Sequence, residues 1–227
     1  MIPVRAHQAH RSIPLVTYAI VALNVIVFLW DRHGHPFGGS VTFSDLAMRP
    51  NEVVLALHGA DRFAWVTIFT SMFMHANLIH IAGNMIFLLV FGSSVEFALG
   101  PIRFTLYYLM WGVVAALTQV AVDPHTMTPT LGASGAIGGI LGCYLLLFPS
   151  SKIEIIVPIL AFLAFDVSAW ILLGLWFVYQ VFAPQDGVAN WAHVGGFLAG
   201  MVTVLIIGGR GAIFRGRERE LEAEMYT

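Results

Sequence analysis

The most informative scarcity in this sequence is that of charge. Of its 227 residues only 11% are charged, whereas 58% are hydrophobic. A soluble globular domain carries about 25% charged residues, so the composition excludes an ordinary soluble domain. The formal net charge of −2 hides an uneven distribution of Lys and Arg along the chain, and we expect no nucleic-acid partner. The sequence therefore indicates an integral membrane protein whose surroundings are the lipid bilayer.

Cysteine is almost absent as well. The single cysteine, Cys143, lies in the middle of an apolar stretch. One thiol provides neither a disulfide framework nor a set of thiolate metal ligands. We expect Cys143 to be a packing residue.

The gaps between charged residues define the candidate membrane spans. A helix needs about 20 apolar residues to cross roughly 30 Å of hydrocarbon. Six charge-free windows are long enough: 12–30, 63–95, 104–122, 124–151, 167–185 and 187–209. A seventh, 155–165, covers only about half the distance, and we interpret it as interfacial or re-entrant. The prediction is an all-α polytopic membrane protein with six transmembrane helices.

The distribution of Lys and Arg predicts the orientation. Six spans place both termini on one side, and eight of the eleven basic residues fall on that side. Short loops rich in Lys and Arg stay cytoplasmic. We therefore expect a cytoplasmic N-terminus (1–12), a membrane domain (13–209) and a cytoplasmic tail (210–227), in a bacterial plasma membrane. The first external loop, 31–66, is long and is expected to be partly embedded.

Polar side chains inside the predicted spans are few, and each is costly in hydrocarbon and hence a functional candidate. The second window carries His75, His80 and Asn84 in FMHANLIHIAGNM. The fourth carries Ser134 in GASG, and the sixth carries His193 in NWAHVGGFLAG. These three windows run in the same direction, from outside to inside. Their polar residues should therefore converge in the outer leaflet.

The chemistry of these groups suits acyl transfer. A serine hydroxyl is a weak nucleophile alone, and a neutral histidine within hydrogen-bond reach can accept its proton. His80 and Asn84 are four residues apart and share a helix face. Together with the backbone N–H of Ser134 they could donate hydrogen bonds to an oxyanion.

These motifs resemble those of the rhomboid intramembrane serine proteases in their six-span form. GASG, HIAGN and AHVGGFLAG stand in the family's order, and the resemblance extends from about Ile13 to Gly209. It implies a serine endopeptidase that cleaves transmembrane segments of protein substrates near the outer leaflet. It implies no metal and no cofactor.

The resemblance also assigns roles to residues. It implies Ser134 as nucleophile, His193 as general base, and His80, Asn84 and Ser134 as oxyanion stabilisers. Supporting positions are implied at His75, which lies near the cavity, and at the glycines beside the nucleophile; Glu96 resembles a structural glutamate of the family. These glycines are Gly132 and Gly135.

The chain departs from the family pattern at two places. Val66 and Thr67 stand where members often carry Trp-Arg in the first loop. Gly138 stands one helical turn after the nucleophile, where an aromatic often lies under the catalytic ring. We therefore expect a vacant platform at Gly138 that a phenylalanine would fill. The candidates for orienting His193 are backbone carbonyls, water, or side chains of the fifth window or of the loop 183–190.

Two further function classes stay open. One is a rhomboid-like protein of weak or no catalytic activity that binds membrane clients. The other is a proton-linked or metal transporter built on the three histidines of the second and sixth windows. Against the transporter, the nearest carboxylates, Asp123, Asp166 and Asp186, all lie in predicted loops or at the cytoplasmic side.

Overall fold

Helices make up most of the chain that the computed structural model describes, namely residues 2–6, 13–35, 37, 41–157, 163–183, 185 and 187–225. They are α1 (Leu15–Asp31), α2 (Pro50–Leu57), α3 (Ala64–Thr70), α4 (Leu78–Phe87), α5 (Ser93–Leu99), α6 (Pro101–Val122), α7 (Ser134–Leu147), α8 (Ala169–Phe182), α9 (Asn190–Ile206) and α10 (Gly209–Met225). A π-helical turn, Leu88–Gly92, joins α4 to α5. The prediction of a helical protein is confirmed in this coarser form.

Two of the described helices are long and apolar enough to cross a membrane by themselves. These are Leu78–Leu99 and Pro101–Val122, each of 22 residues. A third candidate is the pair Asn190–Ile206 and Gly209–Glu218, which is bent by 68°. Shorter apolar helices occupy three other predicted windows, namely Leu15–Asp31, Ser134–Leu147 and Ala169–Phe182. A fourth, Ala64–Phe73, precedes Leu78–Leu99 within the 63–95 window. The six-span arrangement stays a prediction.

A three-stranded antiparallel sheet, which the sequence analysis does not anticipate, accompanies the helices. Its strands are β1 (Ile2–Ala6), β2 (Lys152–Val157) and β3 (Leu163–Ser168), in that order. The register pairs Ile2 with Ile156 and Lys152 with Ser168. The segment 155–165, expected to be interfacial or re-entrant, thus contributes to two strands, and its residues 158–162 lie outside the described part. Isoleucine-rich KIEIIV favours a strand because β-branched side chains suit the pleat.

Helices α7 and α9 pack backbone to backbone. A Cβ atom on Gly196 would overlap the carbonyl oxygen of Gly135, and one on Gly200 would overlap that of Gly139. Small residues permit this approach between membrane helices. Because these contacts advance in the same direction along both helices, α7 and α9 run parallel. Their N-terminal ends therefore lie side by side, while β2 and α10 follow their C-terminal ends.

Glu96 anchors the beginning of α1. Its carboxylate is buried and accepts hydrogen bonds from the Val16 N–H (3.0 Å), the Thr17 N–H (2.7 Å) and the Thr17 hydroxyl (2.7 Å). The first N–H groups of a helix lack intrahelical acceptors, and a carboxylate there satisfies them. This contact fixes α1 against α5.

The end of α1 is anchored to the first loop and to the start of α4. The Asp31 carboxylate accepts the N–H groups of Thr42 (3.1 Å) and Phe43 (2.9 Å). The guanidinium of Arg32 donates to the carbonyl oxygens of His75 and Ala76. These residues hold the first loop in a chain that has Val66 and Thr67 at the positions of Trp-Arg.

Candidate active site

A cavity of about 500 Å³ lies where α4, α7 and α9 begin. Its lining includes Ser134, His193, His80 and Asn84, so the structure brings the four principal candidates of the sequence analysis around one space. Apolar side chains such as Met72, Leu141 and Trp176 form other parts of the wall. An apolar cavity with a few converging polar groups is the usual form of a binding or catalytic site.

Ser134 and His193 are within hydrogen-bond distance of each other. The Nε2 atom of His193 lies 2.8 Å from the Oγ atom of Ser134. Ser134 is the first residue of α7 and His193 lies in the first turn of α9, so the parallel packing of these helices brings the two side chains together. A serine hydroxyl at this distance from an imidazole can lose its proton as it attacks.

The other nitrogen of His193 faces α8. Nδ1 lies 2.8 Å from Oε1 of Gln180, which also accepts from Nδ2 of Asn190 at 2.9 Å. The Trp176 ring lies beside the imidazole, with centroids 5.8 Å apart and planes inclined by 36°. The sequence analysis gave the fifth window as one possible source of such a group but assigned neither α8 residue to the site. The cost of an amide inside a membrane, which singled out Asn84, applies equally to Gln180 and is the signal that would find it.

The expectation of a vacant platform at Gly138 is wrong. A Cβ atom at this position would lie 2.9 Å from the carbonyl oxygen of His193 and 3.3 Å from the backbone nitrogen of Phe197. The glycine is therefore a contact point between the backbones of α7 and α9. The aromatic neighbour of the His193 ring comes instead from Trp176 on α8.

His80 and Asn84 offer hydrogen-bond donors to the cavity. The Ala76 N–H donates to Nδ1 of His80 (3.4 Å), which leaves the ring proton of neutral His80 on Nε2. Asn84 is buried, and its Nδ2 atom has no hydrogen-bond partner among the residues that the structure describes. A buried donor without a partner is costly, and an oxyanion in the cavity would satisfy it.

Gly132 brings the nucleophile's loop against these donors. Its φ is +121°, a conformation that favours glycine. A Cβ atom would lie 2.8 Å from Nε2 of His80 and 3.5 Å from Nδ2 of Asn84. The Gly132 N–H donates to the carbonyl of Ser71 (2.9 Å), which fixes this approach.

The two remaining candidates are His75 and Gly135, and Gly135 also lines the cavity. The His75 side chain is buried, and its ring centroid lies 5.2 Å from that of His80 in an edge-on arrangement. Gly135 faces α6, where a Cβ atom would lie 2.7 Å from the Cβ of Ala115. Gly135 therefore lets α7 pack closely against α6, and the supporting roles of both residues stay predictions.

Comparison with known proteins gives consistent matches. The family model described as the Rhomboid domain matches residues 62–210. The chain is 28% identical over 196 residues to Rhomboid protease GluP of Bacillus subtilis (strain 168) and 32% identical over 218 residues to the mitochondrial Rhomboid protein 1 of Saccharomyces cerevisiae. It is also 33% identical over 150 residues to the chloroplastic Rhomboid-like protein 11 of Arabidopsis thaliana.

The matches cover most of this chain and a smaller share of the relatives. They include 86%, 92% and 63% of the chain, respectively, but 35%, 57% and 53% of the three relatives. The Rhomboid domain match spans the segment that contains Ser134, His193, His80 and Asn84.

Proposed function

Since the chain belongs to the rhomboid family, we propose that it is an intramembrane serine endopeptidase that cleaves transmembrane segments of membrane proteins near the outer leaflet. The observation that carries the proposal is the 2.8 Å separation between Nε2 of His193 and Oγ of Ser134, at a cavity that also contains Asn84 and His80. One of the relatives is named a rhomboid protease, which agrees with this activity.

In the proposed first half-reaction, Oγ of Ser134 attacks the carbonyl carbon of the scissile peptide bond while Nε2 of His193 accepts the hydroxyl proton. The carbonyl oxygen becomes an oxyanion, and it receives hydrogen bonds from Nδ2 of Asn84, Nε2 of His80 and the backbone N–H of Ser134. The C–N bond then breaks, the imidazolium of His193 gives its proton to the leaving amine, and an acyl-enzyme forms.

The second half-reaction reverses these proton transfers. A water molecule attacks the acyl carbon while His193 again accepts a proton at Nε2. The same donors stabilise the second oxyanion. When the ester bond to Ser134 breaks, Oγ takes the proton back from His193, and the carboxylic acid product leaves and releases its remaining proton to water. A cavity of about 500 Å³ has room for this water molecule beside the bound substrate.

We also propose that both termini face the cytoplasm and that the site opens towards the opposite leaflet. Strand β1 pairs with β2, and both lie past the end of α7 that is distant from Ser134. The tail also follows the distant end of α9, and Arg217 donates from it to the carbonyl of Phe97 (3.1 Å). This arrangement agrees with cytoplasmic 1–12 and 210–227 segments around a 13–209 membrane domain. Residues 1, 7–12 and 226–227 of the two cytoplasmic segments lie outside the described part.

The experiment is cleavage of a model transmembrane substrate by the purified protein in proteoliposomes, together with labelling by a fluorophosphonate probe. Ser134→Ala and His193→Ala should abolish cleavage, and Ser134→Ala should abolish labelling. The matched controls are Ser93→Ala and His58→Ala, which lie away from the cavity and should leave both signals at the parental level. A protein that binds membrane clients without cutting them would show binding with no labelling, and this result would refute the protease proposal.

A further inference from the structure

We propose that Gln180 is a positioning residue that holds His193 in the tautomer with its proton on Nδ1, through a hydrogen-bond chain that begins at the backbone N–H of Gln185. This inference rests on the proposed protease function, because the tautomer matters only if Nε2 must accept the Ser134 proton. It makes α8 a contributor to the catalytic geometry.

One backbone N–H group determines which atoms donate and which accept along the whole hydrogen-bond chain. The Gln185 N–H lies 3.1 Å from Oδ1 of Asn190. A backbone N–H can only donate, so this end of the Asn190 amide must be its oxygen. The other end, which faces Gln180, is therefore the NH₂ group.

The orientation of the Asn190 amide in turn fixes that of the Gln180 amide. Its terminal atom receives the Asn190 NH₂ at 2.9 Å and faces Nδ1 of His193 at 2.8 Å. If the Gln180 amide were reversed, two NH₂ groups would face each other at that distance, so the shared atom must be Oε1. An amide oxygen has two lone pairs and only accepts. Nδ1 of His193 must therefore donate, which requires its proton.

The consequence appears at the other side of the ring. A neutral imidazole carries one proton, and with that proton on Nδ1 the lone pair of Nε2 points to Ser134 at 2.8 Å. In the other tautomer Nε2 would carry the proton and could not accept the serine proton. An amide oxygen already takes this third position in Cys-His-Asn proteases.

The two amides of this hydrogen-bond chain are buried. Gln180 is 6% exposed and Asn190 is 4% exposed, so a water molecule has little room to replace either hydrogen bond. His80 on α4 lines the same cavity as His193, and the Trp176 ring lies on the α8 side. In these surroundings Gln180 supplies the acceptor at Nδ1.

The first test compares Gln180→Leu, which removes the acceptor, with Gln180→Glu, which keeps an acceptor oxygen at the same reach. For a resolved transmembrane substrate in proteoliposomes, Gln180→Leu should lower kcat by at least about tenfold, within the roughly 10² to 10⁴ that a general base supplies, with KM nearly unchanged. Gln180→Glu should restore kcat to within a few-fold of the parent. The matched control is Gln119→Leu, which loses a buried bond to the Ala192 N–H (3.3 Å) without touching the imidazole and should keep the parental kcat.

The second test needs no substitution at Gln180. Nitrogen-15 NMR of the full-length protein with labelled histidine should show His193 with a protonated Nδ1 and an unprotonated Nε2, the signal being assigned by its loss in His193→Gln. A protonated Nε2 in the resting protein would overturn the proposal, even if Gln180→Leu did not fold.

The outcomes separate this inference from the function on which it rests. If the parent cleaves and Ser134→Ala does not, but Gln180→Leu has the parental kcat, the positioning role is wrong and the protease proposal stands. If folded Gln180→Glu is as inactive as Gln180→Leu, the acceptor is not what matters, and the inference also fails. If Ser134→Ala cleaves like the parent, the protease proposal itself has failed.

Discussion

Gly132 approaches His80 so closely that a Cβ atom at position 132 would lie 2.8 Å from Nε2 of the imidazole. We expect Gly132→Ala to lower the cleavage rate strongly, because the methyl group would push the His80 donor out of place. The same substitution places alanine at φ +121°, which costs about 1–3 kcal/mol of stability. Thermal unfolding in detergent and initial cleavage rates measure the two effects.

Gly59→Ala separates strain from collision in this experiment. Gly59 also has a positive φ, +93°, but a Cβ atom there would meet nothing within 4 Å. It should therefore lose stability in a similar way and retain the parental cleavage rate. Equal losses of activity in Gly59→Ala and Gly132→Ala would contradict the steric explanation.

The effects of Ser134→Ala and His193→Ala on the cleavage rate should not be additive. In the proposed mechanism neither residue can generate the attacking oxygen without the other, and residues that act as a unit show this behaviour. The double variant should retain the same residual rate as either single variant in a sensitive end-point assay. If the rate of the double variant were reduced, relative to the parent, by the product of the two single reductions, the residues would act independently.

Asn84→Ala should reduce kcat with little change in KM. An oxyanion donor acts on charge that appears only in the transition state, and loss of one such donor costs about 10² to 10³ in kcat in a well-characterised serine protease. Asn84→Asp is the matched variant, because it preserves the shape and replaces the donor by an acceptor. It should be at least as slow as Asn84→Ala; a fast Asn84→Asp, or a loss confined to KM, would exclude the assignment.

Gly138→Ala should destabilise the protein, and Gly138→Phe should prevent folding. The added Cβ atom would lie 2.9 Å from the carbonyl oxygen of His193, and backbone cannot yield as a flexible side chain does, so overpacking of about 1–3 kcal/mol follows. Gly174→Ala on α8 is the control, since nothing lies within 4 Å of its Cβ position and alanine there should be neutral or stabilising by about 0.5–1 kcal/mol. Unfolding temperatures in the same detergent provide the comparison.

The features that depend on hydrophobicity and on chain order could be predicted from the sequence. Long charge-free windows predict the helices, and the alternation of direction between successive windows predicts that Ser134, His193, His80 and Asn84 lie at the same end. Chain order requires this convergence as soon as windows two, four and six are parallel, so no side-chain detail is needed.

What sequence reasoning misses depends on contacts between elements. The role of Gly138 depends on how closely α7 and α9 approach, and a glycine in the sequence does not tell a vacant site from a backbone contact. Gln180 meets His193 only through the packing of α8 beside α9. The pairing of β1 with β2 joins residues about 150 positions apart, and local propensity carries no information on such a pairing.

The last prediction concerns which transmembrane segments would be substrates under the proposed protease function. A carbonyl in a regular helix is hydrogen-bonded four residues along the chain and shielded by side chains, so Ser134 can reach it only after the segment unwinds locally. Unwinding in lipid leaves backbone groups unsatisfied at a cost of several kcal/mol each, whereas polar groups in the cavity, such as Asn84 and His80, could bind them. Substrates should therefore carry Gly, Pro or polar residues near the outer leaflet, and a small residue at the cleaved bond, since Gly132 and Gly135 flank the nucleophile closely.

The test replaces these helix-weakening residues by leucine in an identified substrate and measures initial cleavage rates in bilayers. The matched control makes the same replacements at the inner-leaflet end of the same segment, which keeps overall hydrophobicity equal. We expect cleavage to slow by about tenfold or more when the outer-leaflet residues are replaced, because about 1.4 kcal/mol of added helix stability corresponds to a factor of ten in rate. The inner-leaflet replacements should have little effect. If both sets of replacements leave the rate unchanged, cleavage does not depend on local unwinding, and the sequence next to the membrane selects the substrate instead.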